Sequence, residues 1–335
     1  MGKTTLTMKI QVTAPARLHL GDIDPFAIGR FGYAPILAIG EPRTVVEAEV
    51  ASSLAVSGEE AGEAEIFAQR VLEVFKLQGA HVEVQRAAPR HAGFGSTTQL
   101  SLAIGKAVTL AYGVETSLTE LVKSVRRTST GGLYTFEYGG FIVSGGFKSR
   151  PDGGIFMRDD PLIPPMILRS DFPDQWSFVI VRPIKAPKSP DGEAEEQAFK
   201  KLHSRRPPVG LTRKAYFLLA AKLLPALMEK DAEAFGSALS EIQETVGRTY
   251  QPIQGSVFNP ASEWLIPILK RSGETLGYGQ TSWGPTVYAF TDGAGPAERI
   301  KRFVEAEAGE RVAVSIVGPD NQGARVKNLS SHSTG

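Results

Sequence analysis

Pro89-Arg90-His91-Ala92-Gly93-Phe94-Gly95-Ser96-Thr97-Thr98-Gln99 lies between two runs of different period. Before it, His81 to Gln85 alternates with Val82 and Val84 in phase, a strand signal; after it, Leu100, Ile104, Ala107 and Ala111 recur at helical spacing. The quoted stretch is therefore a loop from a strand into a helix, predicted over Thr97 to Tyr112 with Gly113 as its C-terminal stop. Gly93 and Gly95 let backbone approach a ligand with no Cβ in the way, and Ser96 or Thr97 can cap the helix. The first-turn N–H groups have no partner within a helix and sit at its positive end, which suits an anion. Arg90 and His91 add charge. Gly93-x-Gly95-x-x-Thr98 is an incomplete dinucleotide fingerprint, and an ordinary capped turn has the same spacing.

Two further segments combine permissive backbone with ligand-binding groups. Ala14 to Asp24 (APARLHLGDID) includes the end of a strand in which Arg17 and His19 face one side and Leu18 and Leu20 the other, followed by the carboxylates Asp22 and Asp24. Leu276 to Tyr288 (LGYGQTSWGPTVY) is a second glycine loop, with Gly279, Gln280 and Ser282 as candidate donors. Asp24 before Pro25 is also a good turn former, and Trp283 reads equally well as core.

Around these motifs the pattern predicts strands at Leu6 to Leu20, Val45 to Val50, Phe141 to Val143, Ser177 to Arg182, Val287 to Phe290 and Val312 to Val317. Helices are predicted at Ala64 to Leu77, Glu193 to Leu202, Thr212 to Glu229 with a break at Pro225, Asp231 to Thr249, Ser262 to Lys270 and Ala297 to Ala306. Ser117 and Glu120 have capping-box spacing and start a short helix ending near Arg126. The expected class is α+β in two layers, divided into residues 1–160 and 161–330. Lys185 to Gly192 is a candidate linker.

Composition narrows the function. With 335 residues, 42% of them hydrophobic, the chain can bury a sizeable core. Lys and Arg (37) balance Asp and Glu (36), so no net field draws it to nucleic acid or anionic lipid, and any anion is held by a local site. The absence of cysteine removes thiol nucleophiles and disulfides and favours the cytoplasm. Met1 to Ala14 lacks the apolar core of a signal peptide, and no stretch is apolar enough to span a bilayer. Gly2-Lys3-Thr4-Thr5 is not a P-loop, since no upstream glycine precedes it. His81 and His203 stand alone and read as structural or solvated.

The ordered triplet of a Pro-x-Arg strand, a central glycine–serine loop and a late glycine loop resembles the three motifs of the GHMP kinase superfamily. Within it the chain is most similar to the β-ribofuranosylaminobenzene 5′-phosphate synthase family. The matching residues are ARLHLGDID with Ile28-Gly29-Arg30, GFGSTTQLSLAIGKA, Tyr138 to Gly146, Pro164-Pro165, Gln251 to Gly255 and GYGQTSWGPTVYAF. The resemblance implies a GHMP-kinase-like fold, with a ribosomal protein S5 domain-2-like N-terminal half and a ferredoxin-like C-terminal half. It implies a homodimer, Mg²⁺, and condensation of phosphoribosyl pyrophosphate with 4-hydroxybenzoate or 4-aminobenzoate. Pyrophosphate and CO₂ are lost and a C-riboside forms, in tetrahydromethanopterin biosynthesis. On that reading Gly93, Gly95, Ser96 and Thr97 hold phosphate, with Ser129, Gly279, Gln280 and Ser282 as further contacts. Arg17, Arg90 or the Arg126–Arg127 pair take the pyrophosphate or the benzoate carboxylate. Asp22 and Asp24 position Mg²⁺ or stabilise the cationic sugar, and His19 manages the acceptor's proton. The chain departs from the family's usual pattern at Asp22, Ser144 and Phe147. The alternative is a small-molecule kinase of the same superfamily, against which stands the lack of any acid from Thr97 to Lys106 or from Arg126 to Gly132. A non-catalytic sensor of the phosphorylated ligand is a third class.

Overall fold

A computed structural model describes residues 8–148, 163–187 and 192–330. The first part of the chain runs β1 (Lys9–His19), β2 (Phe31–Val50), β3 (Ala55–Gly58), α1 (Ala61–Phe75), β4 (Ala80–Arg86), α2 (Ser96–Ala111), α3 (Leu118–Val125), α4 (Gly132–Tyr138), β5 (Phe141–Phe147) and β6 (Met166–Ser170). It continues through β7 (Trp176–Pro183), α5 (Gly192–His203), α6 (Val209–Leu218), α7 (Leu224–Glu229), α8 (Ala232–Gln254), α9 (Leu265–Arg271), β8 (Gly277–Gln280), β9 (Val287–Asp292), α10 (Ala294–Ala308), β10 (Val312–Val317) and β11 (Arg325–Asn328).

Seven strands form the first sheet. Its spine is β11-β1-β2-β4-β3, and β5 and β6 extend it from the N-terminal part of β2. The 20-residue β2 thus serves two neighbours on one side, pairing through Val45–Val50 with β4 and through Phe31–Leu37 with β5. The second sheet is antiparallel in the order β10-β7-β9-β8, the split β-α-β arrangement expected of a ferredoxin-like half.

Burial explains the layering. Ile10, Val12 and Ala14 of β1 pack with α1 and α2, whereas Ala16, Leu18 and Leu20, past an irregularity at Pro15, join a second core. That second core also takes Phe178 and Ile180 from β7, while Val179 and Val181 face α9 and α10, the period-two alternation of a sheet covered on both sides. The middle core is shared by both sheets.

Several expectations need correction. The division at 160/161 falls outside the described residues, and the first sheet draws β6 and β11 from the far side of it. The second strand, expected at Val45 to Val50, begins at Phe31, and Gly132 to Tyr138, outside every expected element, is helix. The helix around Pro225 is continuous: a π-helical turn at Leu219–Leu223 precedes the proline, which sits in the first turn of α7. α8 runs past Thr249 and through Pro252, which carries Tyr250 and Gln254 on a helix. The predicted capping box is present, with Ser117 Oγ accepting from Glu120 N–H and the Glu120 carboxylate from Ser117 N–H. The start of the expected first strand, the Gly2 to Thr5 motif and part of the expected linker lie outside the described residues.

Candidate active site

The three glycine-bearing segments meet at one point. The His19 N–H donates to Thr281 Oγ1 (3.0 Å), and the Thr281 hydroxyl donates to the Gly93 carbonyl (2.7 Å). Arg17 N–H donates to the Phe94 carbonyl (3.1 Å), and its guanidinium reaches Gly93 O at 3.4 Å. The glycines answer to these approaches. A Cβ on Gly93 would stand 2.3 Å from Thr281 O, and one on Gly95 would stand 2.8 Å from both Cγ and Nε of Arg17. Both have positive φ, and Gly95 caps α2 at its head. The first amides of α2 to find a helical acceptor are those of Thr98 and Gln99, both bonded to Gly95 O, so the Ser96 and Thr97 N–H groups precede the helical ladder.

On the other side of Arg17 lies a cavity of about 150 Å³. Arg17, His19 and Asp22 line it from β1 and the turn after it; Gln243, Tyr250 and Gln254 from α8; Gln280, Ser282 and Trp283 from the late glycine loop; Glu195 and Phe199 from α5; Phe31 from β2; and Thr130 from the loop before α4. Four rings form one wall. Tyr250 meets Trp283 edge to face at 5.0 Å, Phe199 meets Trp283 at 5.5 Å, and Phe31 meets Phe199 at 5.1 Å. The Trp283 indole donates to Glu195 (3.1 Å), and Tyr250 donates to Asp22 Oδ2 (2.7 Å). Gln280 braces the loop by donating to Gln254 Oε1 and the Ser282 carbonyl (both 3.0 Å) and accepting from Asn259 N–H (2.7 Å). Gly279 leaves room for Gln243, which accepts from Gln280 N–H.

Burial sets the charges. Arg17 is the one lysine or arginine lining the cavity among the described residues. Desolvation lowers its pKa to about 10, against the pull of Glu195 and with the help of Arg127, so it stays a cation at neutral pH. His19 is pushed down to about 3 by burial and then by Arg17, which makes it a neutral wall group. Burial raises Asp22 to about 7, opposed by the Tyr250 hydrogen bond and reinforced by the charge of Asp24. Asp22 Oδ1 is buried with no hydrogen-bond partner among the described residues.

Other expected residues fall elsewhere. Arg90 binds Glu60 and Glu63 (3.2 and 3.3 Å), away from the cavity. Asp24 is fully buried and accepts from the N–H groups of Ile28, Gly29 and Arg30 (2.9, 2.6 and 2.9 Å), so its carboxylate organises the turn instead of facing a ligand. Arg30 then reaches the carbonyls of Gly145 and Gly146. Arg126 is an exposed C-cap of α3, while Arg127 is partly buried and close enough to act on Arg17. Ser129 Oγ accepts from Gly132 N–H (3.0 Å) and so shapes the entrance to α4. His203 donates to the Pro25 carbonyl, and His81 pairs with Glu49 at the surface. Sequence reasoning missed Tyr250, Glu195, Phe199, Phe31 and Gln243. The first lies next to the quoted Gln251-Pro252 motif, the one local signal that pointed toward it.

The chain is 32% identical over 329 residues to β-ribofuranosylphenol 5′-phosphate synthase of Archaeoglobus fulgidus, covering 95% of this chain and 99% of that one. It belongs to the β-ribofuranosylphenol 5′-phosphate synthase family. The synthase of that name from Methanothermobacter thermautotrophicus is 30% identical over 303 residues, 86% of this chain and 90% of the relative. The models for the GHMP kinases N terminal domain and for GHMP kinases C terminal match residues 64–140 and 223–311, which places this synthase family on the GHMP kinase fold. Among solved structures, a mevalonate kinase aligns over 93% of this chain and 99% of its own with a TM-score of 0.68 at 14% identity. Homoserine kinase from Cytophaga hutchinsonii aligns over 98% and 100% with a TM-score of 0.64 at 15% identity. These kinases share the synthase fold, and at such identity only the fold.

Proposed function

We propose that the chain is a phosphoribosyltransferase of the C-riboside-forming type: phosphoribosyl pyrophosphate and 4-hydroxybenzoate give β-ribofuranosylphenol 5′-phosphate, pyrophosphate and CO₂. The phenol in the relatives' name favours 4-hydroxybenzoate over 4-aminobenzoate as the acceptor. The ring carbon bearing the carboxylate bonds to C1′ of the ribose as the C1′–O bond to pyrophosphate breaks. The carboxylate then leaves as CO₂, and its bonding pair restores the aromatic ring.

The observation that carries this reading is the position of Arg17. It packs on Gly95 at the head of α2 and also lines the ring-walled cavity, so one cation touches both an anion-binding helix end and a pocket with an aromatic wall. The Ser96 and Thr97 amides suit the departing diphosphate, and Arg17 neutralises charge between the two substrates. His19, being neutral, shapes the wall and leaves proton traffic to other groups.

The two aspartates do not build the expected Mg²⁺ site. Asp24 spends both oxygens on backbone N–H groups, Asp22 Oδ2 is taken by Tyr250, and no cluster of three metal-ligating side chains exists among the described residues. Mg²⁺ in this reading travels with the diphosphate it neutralises, as that ion commonly does. The reading carries with it cytoplasmic work as a homodimer; among the described residues no helix is long and apolar enough to cross a membrane.

Incubation with phosphoribosyl pyrophosphate and 4-hydroxybenzoate tests it: pyrophosphate and CO₂ are expected in equal amounts without ATP. ADP formation from ATP and an alcohol, with no pyrophosphate release, overturns it in favour of a kinase.

A further inference from the structure

Asp22 and Tyr250 form a hydrogen-bonded pair beside the ring wall of the cavity. Tyr250 is in the ring wall with Trp283 and Phe199, and its hydroxyl is directed to Asp22 Oδ2 at 2.7 Å. The second carboxyl oxygen, Oδ1, is buried and accepts no hydrogen bond among the described residues, although the Asp24 backbone N–H lies near the carboxyl. An unmatched buried acceptor is costly, and a ligand bearing a hydrogen-bond donor removes that cost. Rotation about the last side-chain bond of an aspartate is soft and nearly two-fold, so either oxygen can turn to the cavity. The charged groups acting on this carboxyl are Asp24 from the same turn and Glu195 from α5, while Arg17 of β1 lines the same cavity. Glu195 is engaged by the Trp283 indole, and Asp24 by the backbone N–H groups of its own turn. Among these groups Asp22 Oδ1 is the oxygen that is fully buried without a hydrogen bond, and so gains most from a donor on a ring seated against Trp283.

We propose that Asp22, held by Tyr250, is a specificity-determining residue that selects aromatic acids carrying an O–H or N–H donor on the ring, opposite the carboxylate. This rests on the reading of the cavity as the acceptor site and names which feature of the acceptor is read. A site that offers a buried acceptor rejects a ligand lacking the donor far more strongly than an apolar pocket rejects an extra group.

Calorimetric titration of the whole chain with 4-hydroxybenzoate, benzoate and 4-methoxybenzoate, each alone, tests it. The methoxy compound keeps the oxygen but has no hydrogen to give. The expected result is binding of 4-hydroxybenzoate tighter than either analogue by on the order of 10–100-fold. In Asp22→Ala that ratio is expected to fall to within about 3-fold, because the acceptor is gone while the ring wall stays. In Tyr250→Phe the ratio is expected to fall as well, since Asp22 loses the group that fixes it, and this variant decides the matter if Asp22→Ala does not fold. Equal binding of all three acids, or none, by the native chain overturns the proposal, as does an unchanged ratio in a folded variant. Selective binding by a chain that releases no pyrophosphate from phosphoribosyl pyrophosphate leaves the proposal standing and overturns the reaction instead.

Discussion

The hydroxyl of Tyr250, near the end of α8, donates to Asp22 Oδ2 at 2.7 Å and so ties together residues 228 positions apart. The bond favours the ionised carboxylate and is the largest effect opposing its desolvation. Tyr250→Phe is therefore expected to raise Asp22 above its present value of about 7 and to destabilise the fold by about 1–3 kcal/mol. Carboxyl titration by NMR and denaturant unfolding check the two halves of this statement.

Stability against pH contains two opposed contributions. Asp22, raised from 3.8 to about 7, stabilises the fold fully below pH 3.8 and loses that contribution as pH rises through 7. His19, lowered from 6.5 to about 3, stabilises it above pH 6.5 and loses that contribution as pH falls toward 3. Between roughly pH 4 and 6.5 the slopes have opposite sign, each approaching about 1.4 kcal/mol per pH unit. Asp22→Asn is expected to make stability rise with pH across this window relative to the native chain, and His19→Gln to make it fall. Parallel curves for all three proteins would sink the assignment.

Gly95 is held at φ 70° with Arg17 passing where a Cβ would be. Gly95→Ala is expected to cost about 1–3 kcal/mol and to displace the guanidinium, cutting pyrophosphate release by at least about 10-fold. Thermal unfolding and a pyrophosphate assay measure both.

Arg17→Ala and Arg90→Ala separate a cavity arginine from a surface one. The first is expected to lower turnover by about 100-fold or more, because the one lysine or arginine lining the cavity among the described residues is lost. The second removes partly exposed pairs to Glu60 and Glu63, for an expected cost under about 1 kcal/mol and little change in turnover. Equal effects of the two substitutions on kcat/KM would contradict this placement.

Local signals told the truth where one element decides the structure. The α2 spacing, the Ser117–Glu120 capping box and the alternation of Arg17 and His19 with Leu18 and Leu20 need no distant partner to be read. The N-terminal part of β2 was illegible for the opposite reason. Gly32, Pro35 and Gly40 look like loop punctuation, yet Ala34 through Ile39 lie between β1 and β5 and are buried on both faces, so the pairing overrides the composition. The site divides in the same way. Its glycine-loop members were visible as motifs, whereas Glu195, Phe199 and Gln243 lie on amphipathic helices where a residue facing a cavity and one facing core have the same spacing.

The middle core has a mechanical consequence. Leu18 and Leu37 of one sheet and Phe178, Tyr288 and Phe290 of the other belong to one continuous apolar interior, and Phe235 of α8 meets Trp176 at a tilt and Phe290 edge to face within it. Close-packed interiors of this kind resist shear. Sliding of one sheet over the other is therefore costly, whereas α5, outside that interior, contributes Glu195 and Phe199 to the cavity lining. Amide hydrogens of α5 are expected to exchange faster than those of β7 and β9, the two inner strands of the second sheet.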